Sequence, residues 1–298
     1  MKNLLLAVLM LLPLSINAQL LYRVSRSDIP TDSYILGTHH LTPYKFTKNI
    51  TGFDSAFNSC EKVYGEIKLD KETTKALNAK LMPLMMMPQD TLFSDLVTRE
   101  EYEYIDSELR RYLGDKFSLD KMSQFKPATI SMQIEMMLAM QDENGKLKLI
   151  THPIDAEIQD KAKRSDKQIL GLESADSQIS LLFGDSLNEQ ADALLRTLRA
   201  GDLRQENRKL TALYEAQDSE GLYEYIINSM AQAAESGEDA EKYLEEMLFS
   251  RNEKWADILL QAMQEGATFV AVGAGHLHGQ RGLIKLLEDK GFTITAVE

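Results

Sequence analysis

Two short segments near opposite ends of the chain carry a histidine in the same position. Gly37–His40 follows the apolar run Tyr34–Leu36, and Gly273–His276 follows the apolar run Phe269–Val272, so each end has a strand-like segment and then Gly-x-x-His. The chain has five histidines, and four of them lie in or beside these two turns. Histidine can ligate a metal, act as a general base or donate a hydrogen bond to an oxyanion. We therefore expect the two ends to build one site, whereas the alternative is that each histidine only caps a strand.

Two glutamates stand at the ends of other apolar runs and are candidate partners for these histidines. Glu66 closes the segment Val63–Glu66, and Glu173 follows Ile169–Leu172. Two histidines with one or two carboxylates are a common ligand set for zinc-like or manganese-like ions and leave a position open for water. The pattern is less specific than a His-Glu-x-x-His helix, which the chain lacks.

Three further polar residues have expected roles. His278 either orients His276 from outside the site or lies in an exposed loop. His152 precedes Pro153 and is expected in a turn, and Asp155 is expected to cap the helix that follows, the alternative being contact with substrate. Cys60 is the only cysteine, so an internal disulfide is excluded and we expect it in the core.

The elements that would position these residues form an α/β pattern. We expect strands at residues 21–25, 34–36, 62–67, 168–170, 268–272 and 293–297, with a helix-rich middle. Helices are expected at 128–141, 251–264 and 283–290, and Gly291 is expected to terminate the last of them. Residues 174–188 are expected to form a weakly periodic join. The sequence thus predicts a mixed α/β (α+β) fold with a sheet core and flanking helices. The repeated strand–Gly-x-x-His unit adds the hypothesis of an internal duplication.

The first residues have the pattern of a secretory signal peptide. Lys2 precedes the apolar run Leu4–Leu14, and a short polar stretch ends at Ala18. We expect residues 1–18 to be removed and residues 19–298 to form one domain without a membrane anchor, exported to the periplasm or secreted. The formal net charge of −13 argues against nucleic acid as a partner.

Six short blocks, taken in order, resemble the TraB/GumN/PrgY family, which includes the Tiki metalloproteases. They span nearly the whole expected mature chain and lie at Leu36–Leu41, Val63–Glu66, Pro153–Ile158, Gly171–Ser174, Arg251–Trp255 and Val272–Leu277. The resemblance implies a site with paired Gly-x-x-His motifs, an acidic residue and an arginine. In the Tiki branch it implies peptide cleavage that depends on a divalent metal.

Mapped onto this chain, the resemblance assigns the two motif histidines to His40 and His276, the acidic residue to Glu66 and the basic residue to Arg251. His39 lies beside His40, and the spacing from the motif glycine favours His40 as the residue that faces the site. On this reading His40, His276 and Glu66 hold manganese, cobalt or zinc, and Glu66 or Glu173 moves the proton. Arg251 would stabilise an oxyanion or a substrate carboxylate; its alternative is an ion pair on the face of its own helix.

The leading prediction is therefore an exported metal-dependent hydrolase that acts on a peptide or another small amide or ester substrate. One alternative, motivated by erythromycin esterases, is a metal-free hydrolase in which one histidine is the general base. Another is a protein of the same fold that binds a peptide, metal or haem without cleaving it. An accessory role in polysaccharide export is the third alternative.

Overall fold

The computed structural model describes residues 19–142, 145–233 and 237–298, and at its centre is a six-stranded sheet. The predicted signal peptide at residues 1–18 lies outside the described residues. The strands are β1 (Leu21–Ser25), β2 (Ser33–Thr38), β3 (Lys62–Gly65), β4 (Gln168–Gly171), β5 (Thr268–Gly273) and β6 (Thr293–Ala296).

The sheet is mixed, and its order is β4-β3-β5-β2-β1-β6. The four strands β4, β3, β5 and β2 are parallel to one another, while β1 pairs antiparallel with both β2 and β6. Gly65 is in register with Ala271 on one side and Gly171 on the other, and Thr38 is in register with Gly273. The carboxyl ends of all four parallel strands consequently meet at one edge of the sheet, where ligands gather in α/β proteins.

All six predicted strands are present; β1 has its predicted bounds, and the ends of the other five differ from the predicted ones by at most two residues. The main difference is β3, which ends at Gly65 instead of continuing to Ile67. The buried side chain of Gln159 accounts for this end, because its amide donates to the Ile67 carbonyl (2.9 Å) and accepts from the Leu69 N–H (2.8 Å). These backbone groups are thus satisfied outside the ladder, and Glu66 lies just past the strand.

The helices in chain order are α1 (Phe53–Ser59), α2 (Lys71–Leu84), α3 (Arg99–Leu113), α4 (Leu119–Met122), α5 (Pro127–Ala139), α6 (Ile154–Arg164), α7 (Ala175–Phe183), α8 (Leu187–Ala200), α9 (Leu203–Glu215), α10 (Ser219–Ala233), α11 (Gly237–Leu244), α12 (Ser250–Glu265) and α13 (Leu283–Asp289). A π-helical turn, Glu245–Phe249, joins α11 to α12. The three predicted helices correspond to α5, α12 and α13 within two residues at each end. Gly291 follows α13 with φ +87°, the left-handed geometry expected there.

The prediction that 174–188 is a weakly periodic join is wrong, since this stretch contains α7 and the start of α8. A serine is the N-cap of each helix. Ser174 Oγ accepts from the Ser177 N–H (3.1 Å), and Ser186 forms a capping box with Glu189. Such caps stabilise a helix start by roughly 1 kcal/mol. They allow a short helix to form where the apolar periodicity is weak.

The sheet is covered on both faces, as the alternation of side chains along a strand requires. One core cluster contains Leu36, Val63 and Phe269 from the strands, packed with residues of α1 and α6. The other cluster contains Ile35 and Val270, packed with residues of α12 and α13. A third cluster is formed mainly by helices α3, α4, α5 and α8, together with Phe93. The middle of the chain is helix-rich, as predicted. The α/β prediction, a mixed sheet with flanking helices, is confirmed.

No helix within the described ranges is long and apolar enough to cross a membrane.

Candidate active site

The carboxyl edge of the sheet brings together the five predicted site residues. His40 lies two residues after β2, His276 three after β5, Glu66 directly after β3 and Glu173 two after β4. Arg251, in the first turn of α12, reaches the same edge from the helix that covers one face of the sheet. The two Gly-x-x-His motifs meet because β2 and β5 are parallel neighbours.

Arg251 is held between the two glutamates. Its Nη2 donates to Glu66 Oε2 (2.8 Å) and to Glu173 Oε1 (2.6 Å), and its Nε donates to Glu173 Oε2 (3.3 Å). The Arg251, Glu66 and Glu173 side chains are 12%, 11% and 10% exposed, and Gln178 Nε2 donates to both carboxylates at 3.1 and 3.0 Å. The alternative reading of Arg251, an ion pair on the face of its own helix, is therefore wrong.

Glu66 is ionised despite its burial. Its Oε1 accepts a hydrogen bond from the Gly273 N–H at 2.9 Å. Desolvation raises the pKa of Glu66, but the positive charges of His40 and Arg251 and the hydrogen bond from the Gly273 N–H outweigh it and lower the pKa to about 2. The carboxylate thus presents one oxygen to Arg251 and the other to the glycine-rich end of β5.

His40 is oriented by Asp155. The imidazole Nδ1 donates to Asp155 Oδ2 at 2.8 Å, and Asp155 Oδ1 accepts from the Thr38 hydroxyl at 2.7 Å. Desolvation lowers the pKa of His40, but the hydrogen bond and charge of Asp155 and the charge of Glu66 outweigh it and raise the pKa. The other ring nitrogen, Nε2, lies 3.8 Å from Glu66 Oε1. With 62% of its side chain exposed, His40 forms the open side of the site.

Asp155 does not cap α6, the role expected of it, but orients His40, a role that the sequence did not indicate. The residue that precedes α6 is Pro153, and Asp155 lies inside the first turn with its carboxylate turned to Thr38 and His40. The block Pro153–Ile158, which carries part of the family resemblance, contained this residue. An acidic side chain in a first helical turn is so common that the position alone does not single it out.

His39 points away from the site, and His40 is the residue of the pair that faces Glu66. The ring of His39 lies 5.6 Å from that of Tyr214, and its Nδ1 shares a hydrogen bond of 3.3 Å with the Thr42 hydroxyl. Desolvation lowers the pKa of His39, so its imidazole is held neutral in this apolar setting.

His276 is buried and oriented by Asn252. Its Nδ1 donates to Asn252 Oδ1 at 2.6 Å, and Asn252 Nδ2 donates to the Arg281 carbonyl at 2.8 Å, which fixes the orientation of the amide. Desolvation lowers the pKa of His276 to about 3, so the ring is neutral and its Nε2 accepts from Arg251 Nη1 at 3.3 Å. The Trp255 ring packs against it at 4.5 Å. Asn252 was missed in the sequence, although it stands beside Arg251 in one of the resembling blocks.

His278 takes neither role expected of it. Its Nε2 shares hydrogen bonds with the Ser219 hydroxyl (2.7 Å) and the Tyr22 hydroxyl (3.3 Å), and the residue is half-buried. The Nδ1 of His276 is bound to Asn252 instead, so His278 does not orient it. His152 is exposed, as expected of a turn residue, and its Nδ1 shares a 3.2 Å bond with Glu157.

Gly273 marks the point on which the site converges. A Cβ built on this glycine would lie 3.3 Å from Glu66 Oε1, 3.5 Å from His40 Nε2 and 3.5 Å from His276 Cδ2, the ring carbon next to Nε2. All three predicted metal ligands therefore surround a space that any side chain at position 273 would fill.

The donor types fit a divalent cation, but their present spacing does not yet form a binding group. In the arrangement described for residues 19–142, 145–233 and 237–298, no three His, Cys, Asp or Glu side chains could hold a metal ion. Arg251 Nη1 donates a hydrogen bond to His276 Nε2, so the lone pair of that nitrogen is already engaged, and His40 Nε2 is 3.8 Å from Glu66 Oε1. A metal would require Arg251 to release His276 and the three donors to draw inward. The Nδ1 bonds to Asp155 and Asn252 already leave both Nε2 atoms facing the site, as in metal-ligating histidines.

Fold and site together define an α/β protein whose parallel strands end in a polar cluster of two imidazoles, two carboxylates and a guanidinium. The chain belongs to the TraB/PrgY/gumN family, whose model matches residues 20–296. No curated protein and no solved structure matches the chain.

Proposed function

We propose that the protein is an exported, divalent-metal-dependent hydrolase that cleaves a peptide or another amide or ester bond. The observation that carries the proposal is the convergence of Glu66 Oε1, His40 Nε2 and the His276 ring around Gly273. The family resemblance to the Tiki metalloproteases supports peptide cleavage. The signal-peptide pattern of residues 1–18 supports export to the periplasm or secretion.

His40, His276 and Glu66 are the residues that would hold the ion, and two imidazoles with a carboxylate suit manganese, cobalt or zinc. A bound divalent ion supplies a Lewis acid that polarises the scissile carbonyl and activates water. Asp155 and Asn252 accept from the Nδ1 atoms of His40 and His276, so each Nε2 faces the substrate side. The neutral His276 has its Nε2 lone pair available, whereas His40 would have to release its Nε2 proton when the ion binds. Second-sphere partners of this kind also raise the basicity of the ligating nitrogen.

Arg251 is the electrophilic group of the proposed site. When Nη1 leaves His276, Nε and Nη2 remain bonded to the two glutamates, so the guanidinium keeps its place while one edge is freed. That edge can donate to a developing oxyanion or to a substrate carboxylate. Because both oxygens of Glu173 accept from Arg251, we assign Glu173 to positioning the guanidinium. Glu66, whose Oε1 faces the open side, is then the carboxylate that moves the proton.

Elemental analysis after metal loading tests the proposal. Residues 19–298 are exposed to manganese, cobalt or zinc, desalted and compared with the variants His40→Ala and His276→Ala. The matched control is His152→Ala, because His152 is an exposed histidine outside the site. We expect near-stoichiometric metal in the wild type and the control, its loss in the two site variants, and chelator-sensitive hydrolysis of a peptide library. Metal-free protein without chelator-sensitive turnover contradicts the proposal.

A metal-free hydrolase is the second candidate, and one observation favours it. Asp155 and His40 form a carboxylate–imidazole pair of the kind that makes histidine a general base in hydrolases, while Arg251 is already bonded to His276. Turnover that resists chelators but is lost in His40→Ala would establish this candidate. Saturable binding of a peptide, metal or haem with the ligand recovered intact would instead identify a binding protein.

A further inference from the structure

The helix that carries Arg251 begins with an irregular turn. At the π-helical turn Glu245–Phe249 the Ser250 N–H bonds to the Glu245 carbonyl, and the Ser250 hydroxyl donates to the same oxygen at 2.8 Å. The Met247 carbonyl in this turn accepts from Arg251 Nη1 at 2.7 Å. π-Helical turns within α-helices are rare and occur frequently at functional sites. Arg251 is therefore bonded directly to a turn whose hydrogen-bond pattern differs from that of the α-helices on either side.

One side chain outside the site holds both ends of this turn. Arg281 donates through Nη1 and Nη2 to the two oxygens of Glu245, the second at 2.9 Å, and through Nε to Glu253 Oε1 at 2.8 Å. Its guanidinium also lies over the Phe249 ring at 4.7 Å. Glu245 opens the π-helical turn and Glu253 lies two residues past Arg251, so Arg281 spans the segment that presents Arg251.

The backbone of Arg281 connects to the site by a second route. Its carbonyl accepts from Asn252 Nδ2 at 2.8 Å, and the oxygen of that amide accepts from His276 Nδ1 at 2.6 Å. If the amide turned over, its NH2 group would face Nδ1 and the proton would be disfavoured there. A shift of the loop at Arg281 would consequently change both the position of the Arg251 guanidinium and the ring nitrogen of His276 that carries the proton.

We propose that Arg281 is a positioning residue that sets Arg251 through the π-helical turn and His276 through Asn252. The inference rests on the proposed function for its effect on turnover, but its effect on the structure of the site does not need a substrate. Without Arg281, the carboxylates of Glu245 and Glu253 lose a shared cation and the turn loses its link to the loop that follows β5. Arginine suits this position because its planar fork bonds both oxygens of Glu245 while its Nε reaches Glu253, a geometry that the compact ammonium of a lysine does not offer.

Arg281→Gln tests the inference, with Arg26→Gln as the matched control. Arg26 also binds a carboxylate through two nitrogens, at 2.7 and 3.1 Å to Asp28, and also lies over an aromatic ring, Phe292 at 4.9 Å, but it has no contact with the site. We expect solvent exchange of the His276 Nδ1 proton, followed by histidine ¹⁵N NMR, to become at least tenfold faster in Arg281→Gln. The control and the wild type should agree within twofold, while both variants keep similar melting temperatures.

Turnover provides the second readout. We expect kcat/KM to fall at least tenfold in Arg281→Gln and to recover in part in Arg281→Lys, with Arg26→Gln unchanged. Proton exchange and turnover that both match the control would overturn the inference. If the wild type hydrolyses nothing, the proposed function fails while proton exchange still decides the role of Arg281. Should Arg281→Gln not fold, Glu253→Gln removes one of its two partners and allows the same comparison.

Discussion

Gly273→Ala separates the function of the site from the stability of the fold. The backbone of Gly273 has φ −53° and ψ 133°, which alanine adopts without strain. Alanine gains about 0.4–1 kcal/mol by restricting the unfolded chain. The contact of 3.3 Å between the new Cβ and Glu66 Oε1 opposes this gain, because the carboxylate must shift slightly. Overpacking of this kind costs roughly 1 kcal/mol, so we expect the free energy of unfolding to change by less than about 1 kcal/mol.

The same methyl group fills the space on which Glu66, His40 and His276 converge. We expect metal affinity to fall at least about 100-fold, which corresponds to about 2.8 kcal/mol. Isothermal titration with manganese, cobalt or zinc measures the affinity, and urea denaturation measures the stability. A loss of both affinity and stability would point to general damage, whereas loss of affinity alone supports the geometry.

Gly201→Ala is the matched control, since a Cβ at Gly201 would meet no atom within 4 Å. Its metal affinity should equal that of the wild type. The geometry is refuted if Gly273→Ala, folded and loaded with metal, keeps an affinity and a turnover within twofold of the control. In that case the ligands would lie elsewhere.

Three further changes have expected outcomes. Asp155→Asn removes the charge that orients His40. Loss of such a partner lowers metal affinity about 10- to 100-fold, and isothermal titration with the metal should show a decrease of this size. Arg251→Met leaves Glu66 and Glu173 buried without their cation, so urea denaturation should show a loss of about 3–5 kcal/mol. Added metal should raise the melting temperature of Arg251→Met more than that of the wild type, because the ion replaces the lost charge and no longer competes for His276; an equal rise would contradict this. Ser219→Ala removes a buried hydroxyl that is hydrogen-bonded to both His278 and Tyr22. It should lower the free energy of unfolding by about 1–3 kcal/mol and leave metal affinity unchanged. A tenfold change in metal affinity would show that His278 does act on the site.

The sequence predicts the sheet and the residues at its edge because both depend on local patterns. Apolar runs ending in glycine identify the strands, and the residues just past them, His40, Glu66, Glu173 and His276, are brought together because parallel strands end at one edge. The exact strand ends were not predictable. β3 stops at Gly65 because the side chain of Gln159, remote in sequence, binds the backbone beyond it.

The partners of the histidines could not be predicted from spacing. Asp155 and Asn252 lie in first helical turns, where polar residues are common, and their roles follow only from how α6 and α12 pack on the sheet. The burial of Arg251 has the same cause, since its partners come from loops after β3 and β4. His278 was misassigned because nearness in sequence to His276 does not predict the direction of a side chain in a loop.

The position of β5 in the sheet determines when the site can exist. This strand lies between β3 and β2, yet almost all of the chain precedes it, including α12 with Arg251. A nascent chain that stops before residue 268 has a gap between Glu66 and His40 and lacks the Gly273 N–H that binds Glu66. Chains are made from the N-terminus at roughly 5–20 residues per second. Under the proposed function, the hydrolase is therefore inert until residues 268–276 have been made and β5 has inserted between β3 and β2.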